Sequence, residues 1–183
     1  MRRIGVLLLL VLVLPSARAA LERVMATHML VQIPLLVVAG ALITCDLPER
    51  WSRRAADWNA GGIAGTLLAL IASSWWMVPR ALDLSLASHT MELLKFVTLP
   101  LFVGAPVAMS WRALGGIGRG FVLANVLPMW AVVGWMYVAA PVRVCNYYLV
   151  SEQVMAGTAL VAASIALGVL ACASAFVSHA HSS

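Results

Sequence analysis

Charge is what this 183-residue chain has least of. Only 10% of its residues are Asp, Glu, Lys or Arg, against about 25% in an ordinary soluble domain. In their place stand 63% hydrophobic residues and a mean hydropathy of +0.97. That balance excludes a disordered chain and leaves no room for a separate soluble catalytic domain. Cysteine is scarce as well. Cys45, Cys145 and Cys172 stand far apart with no CxxC pair, which excludes a disulfide framework and a CxxC redox or zinc motif. The chain also lacks an HExxH pair, a phosphate-binding glycine loop and a nucleophile elbow, so it is not expected to be an enzyme. Its net charge of +5 comes without a basic patch interleaved with aromatics, and no nucleic-acid partner is expected.

What is present is a series of apolar runs. Met1-Arg2-Arg3 is a basic start, Ile4 to Leu14 an apolar core, and Ser16-Ala17-Arg18-Ala19-Ala20 a small-residue cleavage pattern. About 11 apolar residues are too few to span a bilayer, which takes about 20. Residues 1–19 are therefore expected to be a signal peptide, with a retained N-terminal anchor as the alternative. Five longer runs follow, at about Met25–Thr44, Ala60–Val78, Met91–Trp111, Phe121–Ala140 and Val154–Phe176. The expected fold is all-α: a polytopic membrane helical bundle over residues 20–176 with about five transmembrane helices, closed by a short cytoplasmic tail at 177–183. Pro34, Pro100, Pro106 and Pro128 lie inside these runs, where neighbouring helices can re-satisfy the freed carbonyls.

The distribution of Lys and Arg orients the bundle. With Arg2 and Arg3 inside, Arg50, Arg53, Arg54, Arg112 and Arg119 fall on the same side, while Arg18, Arg23, Arg80 and Arg143 fall outside. This is the positive-inside bias, and it predicts a multi-pass protein of the cell's inner (plasma) membrane. Trp51 and Trp58 on one side, and Trp75 and Trp76 on the other, suit interfacial belts. Glu22, Met25, His28, Met29, Asp83, His89, Met91, Glu92, Cys145, Tyr148, Glu152 and Gln153 are thereby sorted to the outer, periplasmic end.

Within that set, Met25, His28, Met29 and Gln32 share one helical face, since positions three and four apart are neighbours. Two thioethers and an imidazole suit Cu(I), and a histidine inside an apolar span marks either a function or a polar contact between helices. Met25, His28 and Met29 are the candidate metal ligands, with His89 as a fourth from another helix. Glu92, Glu152 and Gln153 are candidate supporting residues. Glu92 lies three residues before Lys95, a spacing that suits an ion pair within one helix, and it also stands where it can orient His89. The tail histidines His179 and His181 are incidental on this reading.

The same stretch carries a resemblance. Met25-Ala26-Thr27-His28-Met29, running into an apolar segment with Pro34, resembles the His-Met-x-x-His-Met motif of the CtaG-type multi-span cytochrome c oxidase assembly proteins. Val24 stands where that motif has its first histidine. Glu152-Gln153-Val154-Met155-Ala156-Gly157 is similar to the family's Asp-Gln-x-x-Gly-Gly motif, and His89–Trp111 to its middle histidine-bearing helix. The resemblance covers about Glu22–Ser164 and implies a shortened, divergent relative that handles copper for a haem-copper oxidase. Its partners would be membrane lipid and the subunits of that oxidase or of another respiratory complex. Two readings stand beside it: a metal-free structural or assembly subunit, and a haem-binding electron carrier using His28 and His89.

Overall fold

The computed structural model describes residues 1–46 and 48–180, without the side chains of Ser52, Ala56 and residues 175–180. Nine helices and no strand occur among the described residues. Two short ones come first, α1 (Arg2–Val13) and α2 (Pro15–Glu22), bent by 72° at Leu14. The cause is local. Leu14 precedes a proline and takes an extended conformation (φ −58°, ψ 134°), as steric conflict with the proline ring requires, and Pro15 then starts the next helix.

Five helices are long and apolar enough to cross a membrane: α3 (Met25–Thr44), α5 (Ala60–Met77), α7 (His89–Ala113), α8 (Gly116–Ala139), and α9 (Val150–Ala180) through its portion Val150–Ser174. The 20 residues of α3 rise about 30 Å, the thickness of a hydrocarbon core. Large apolar side chains such as Ile71, Leu93, Val97, Leu101, Trp135 and Val169 point outward, which a bilayer accepts and water does not. All five lie where the apolar runs put them. The third, fourth and fifth start earlier than expected, at His89, Gly116 and Val150 in place of Met91, Phe121 and Val154, and the fifth continues through Ala180 into the segment read as a tail. The His179 side chain and His181 fall outside the described residues.

Two connections also fold as helices, α4 (Glu49–Trp58) and α6 (Pro79–Ala87). On α4, Trp51, Ala55 and Trp58 share one face while Arg50, Arg53, Arg54 and Asp57 take the rest. This is the pattern of a helix lying along an interface. Trp51, Trp58 and Trp75 are exposed, as an interfacial belt needs. Trp76 is not. It is buried, and its indole N–H donates to Thr98 Oγ1 at 2.9 Å.

The long helices approach through glycine. A Cβ on Gly40 would run into the backbone of Pro100, and one on Gly104 into the Val37 carbonyl, so α3 and α7 cross nearly backbone to backbone. Gly134 and Gly157 do the same for α8 and α9, with added Cβ atoms 2.7 and 2.6 Å from each other's carbonyl oxygens. The N-terminal segment belongs to this packing. Gly5 of α1 faces the Ala39 carbonyl of α3, and Leu12 is part of the core.

Both α3 and α7 contain one wide turn, a π-helix at His28–Gln32 and another at Leu99–Gly104. Each ends two residues before a proline, Pro34 and Pro106. A proline cannot donate to the carbonyl four residues back, and its ring collides with that carbonyl. The wide turn relieves both conflicts through i−5 hydrogen bonds, Ile33 N–H to the His28 carbonyl and Ala105 N–H to the Pro100 carbonyl. Such turns recur at functional positions, and the first of these begins at His28.

Candidate functional site

The buried ionisable residues of the apolar segments, His28, Glu92 and Lys95, gather at one end of the bundle. Lys95, two turns into α7, has no exposed surface. Its ammonium donates to Glu22 Oε1 at 2.7 Å and to Gln32 Oε1 at 3.3 Å, and it lies 3.1 Å from His28 Nε2. Gln32 Nε2 donates to the same Glu22 oxygen at 2.9 Å. Three acceptors from α2 and α3 thus converge on one cation of α7. Such convergence is what a buried ammonium needs, because its desolvation costs several kcal/mol when unpaired.

The other side of the imidazole fixes its proton. Tyr148 donates its hydroxyl hydrogen to the Glu22 carbonyl at 2.9 Å and therefore accepts from His28 Nδ1, also at 2.9 Å. With the proton on Nδ1, the Nε2 lone pair faces the Lys95 ammonium. His28 is a donor on one side and an acceptor for a cation on the other.

Tyr148 is held from below. Gln153 Oε1 accepts from Val144 N–H at 2.8 Å, and its amide donates to the Tyr137 carbonyl at 3.1 Å, pinning the connection between α8 and α9. Glu152 Oε2 accepts from Leu149 N–H at 3.2 Å at the start of α9. Asp83 of α6 takes the backbone and side-chain amides of Asn146 at 2.8 and 3.2 Å. Next to it Cys145 is fully buried. Burial, with the Asp83 charge adding to it, pushes the Cys145 thiol up to about 11, so it remains a thiol near neutral pH. Burial raises the Tyr148 hydroxyl as well, helped by the charge of Glu22, and keeps it a hydrogen-bond donor.

The candidate ligands are distributed unevenly over this framework. Met25, His28 and Met29 are buried together on α3. His89 stands apart, 87% exposed, with Nδ1 at 3.3 Å from Glu92 Oε2. The structure thus joins His89 to Glu92 and does not bring it to His28. Glu92 also pairs with Arg18 of α2, and Lys95 with Glu22. The ion pair read from the Glu92–Lys95 spacing is replaced by these two pairs to α2, because Lys95 faces the helix contact with α3 while Glu92 faces Arg18. Gln153 and Glu152 bond the backbone of the connection that carries Tyr148 and do not touch His28. Among the described residues, no three His, Cys, Asp or Glu side chains come together as metal ligands would.

Lys95, Gln32, Tyr148 and the Glu22 carboxylate make the centre, and none of them was among the expected ligands. One signal was available. Lys95 is a cation well inside an apolar span, and such a residue needs an acidic partner. Compared with known proteins, the chain matches no family model, no curated protein and no solved structure.

Proposed function

We propose that this protein is an integral-membrane assembly factor that handles Cu(I) for a haem-copper oxidase at the outer face of the membrane. One observation carries the reading. The three segments that resemble the CtaG-type motifs are distant in sequence, yet they meet at one end of the bundle, where Tyr148, on the connection that Gln153 pins through Val144, touches His28, and Lys95 of the middle helix touches it from the other side.

The chemistry of the donors is compatible with a soft cation as cargo. His28 presents the Nε2 lone pair, and the thioethers of Met25 and Met29 lie on the same buried stripe, a donor set suited to Cu(I). The Lys95 ammonium now stands at that lone pair, so this position already accommodates a positive charge. A metal ion taking Nε2 displaces the amine. Gln32 and Glu22 then remain to hold it, which gives a route for ligand exchange without an orphaned charge. In this reading His89 belongs to the entrance and not to the ligand set.

A second reading is favoured by the completeness of the hydrogen bonding: both His28 ring nitrogens have partners without any metal. In it the centre ties α2, α3, α7 and α9 together, and the protein serves assembly as a metal-free subunit. A haem held by His28 and His89 has no geometric support, since one is buried at the helix contact and the other lies in the open. Metal analysis and a visible spectrum of the purified protein under reducing conditions separate the readings. Copper without haem absorption supports the first, no metal the second, and a Soret band the third.

A further inference from the structure

Helix α2 is attached to the bundle in an unusual way. None of its residues is fully buried, and Leu21 is its one large apolar side chain packed, half-buried, on the core, so apolar packing holds it only weakly. The rest of its attachment is polar: Arg18 pairs with Glu92, the Glu22 carboxylate accepts from Lys95 and Gln32, the Glu22 carbonyl accepts from Tyr148, and the Leu21 carbonyl accepts from Thr27. The partners of Glu22 lie around His28, for Lys95 and Tyr148 are the two groups that touch its ring; His28 has no exposed surface, and Met25 and Met29 are as deeply buried. At each end of α2 the backbone leaves helical geometry at a single residue, Leu14 (φ −58°, ψ 134°) and Val24 (φ −119°, ψ 132°). Backbone breaks of this kind at element ends serve as hinges.

We propose that α2 is a lid, latched by charged and polar contacts over His28 and hinged at Leu14 and Val24, which must swing away before a solute reaches the imidazole. A segment with few buried apolar contacts opens at a low free energy compared with the core, and a latch made of ion pairs weakens as salt screens it. The lid is built from residues on both sides of the cleavage pattern at Ala17–Ala19. Arg18 supplies the partner of Glu92, so the lid requires that the N-terminal segment stay on the working protein. That Cu(I) is the solute admitted rests on the function proposed above. The gating itself does not.

Carbethoxylation of histidine by diethyl pyrocarbonate, read residue by residue by peptide mass spectrometry on the full chain in membranes, tests the lid. His89, 87% exposed, is the internal reference for an open imidazole, and the fully buried Cys145 reports whether the fold survives. In the native protein His28 is expected to react far more slowly than His89. Arg18→Gln should speed His28 about five- to tenfold, as the loss of one partly buried ion pair implies, while Cys145 stays unreactive to maleimide. Raising salt from about 0.1 to about 1 M should speed His28 and leave His89 unchanged. This arm needs no variant, and it decides the matter if Arg18→Gln unfolds the protein. The intact mass of the membrane-extracted protein should include residues 1–19. The lid is overturned if His28 reacts as fast as His89, if neither arm alters its protection, or if residues 1–19 are missing from the mass. Protected His28 in a protein that holds no copper keeps the lid and removes the cargo. Open His28 in a copper-loaded protein does the reverse.

Discussion

A lysine with no exposed surface is tolerated only where its charge is answered, and Lys95 is answered by Glu22, Gln32 and His28 together. Breaking such a group by removing one partner costs about 3–5 kcal/mol, because the remaining charge is stranded. In a chain of this size that is on the order of 10 °C in melting temperature. Lys95→Met is therefore expected to lower the Tm in detergent by about that much, and Glu22→Gln added to it should recover part of the loss; equal, additive losses from the two changes would show that they do not act as a pair. Lys95→Met also leaves the His28 Nε2 lone pair without its cation. If the amine competes with metal for that atom, the variant binds Cu(I) more tightly than the native protein in a chelator competition. Cysteine behaviour divides by burial. Cys45 and Cys172 are exposed and Cys145 is buried, with its thiol raised to about 11. Since thiolate is the reacting form, maleimide at pH 8 should label Cys45, just past the end of α3, quickly and spare Cys145 until the protein is denatured.

At the scale of elements, the long helices were legible because apolar length is a physical requirement of the bilayer and is written directly in the chain. The short helices were not. α2, α4 and α6 have eight to ten residues each, too few to be stable alone, and they are fixed by what they rest on. The histidine of the site was visible as a polar residue in an apolar run. Its partners were not, since Glu22, Lys95 and Tyr148 are brought to it by the crossing of α3 with α7 and by the Gln153-held connection. The local Glu92–Lys95 spacing misled because residues three apart on a helix still diverge when each has a better partner on another element. The crossing itself depends on Gly40 and Gly104, where an added side chain meets backbone that cannot step aside. Gly104→Leu should separate α3 from α7 and destabilise by about 1–3 kcal/mol or more, as overpacking does. It should also expose Lys95 and His28, so His28 would become reactive to diethyl pyrocarbonate. A protein that kept both its Tm and His28 protection would refute the close crossing.

For the whole molecule, the bundle has two unlike ends. One joins Glu22, His28, Gln32, Lys95 and Tyr148 in a continuous set of hydrogen bonds, beside a connection pinned separately by Asp83 and Gln153. The other carries the amphipathic α4 with Arg50, Arg53 and Arg54. The proposed function requires the basic end to lie in the cytoplasm, as the positive-inside bias expects, and the polar centre to face the outside. Addition of a membrane-impermeant maleimide to intact cells tests that orientation. Cys45, beside the basic end, should be protected until the cells are opened, and labelling in intact cells would reverse the assignment. The central claim is that this centre takes a soft cation in place of the Lys95 amine. Its most direct test is the metal content of the purified protein, loaded with Cu(I) under reducing conditions, for the native chain and for His28→Ala. The account predicts about one copper per native chain and none in the variant, with no haem absorption in either, as a site centred on one imidazole requires. A native protein without copper, or a variant that binds as much as the native chain, would contradict it.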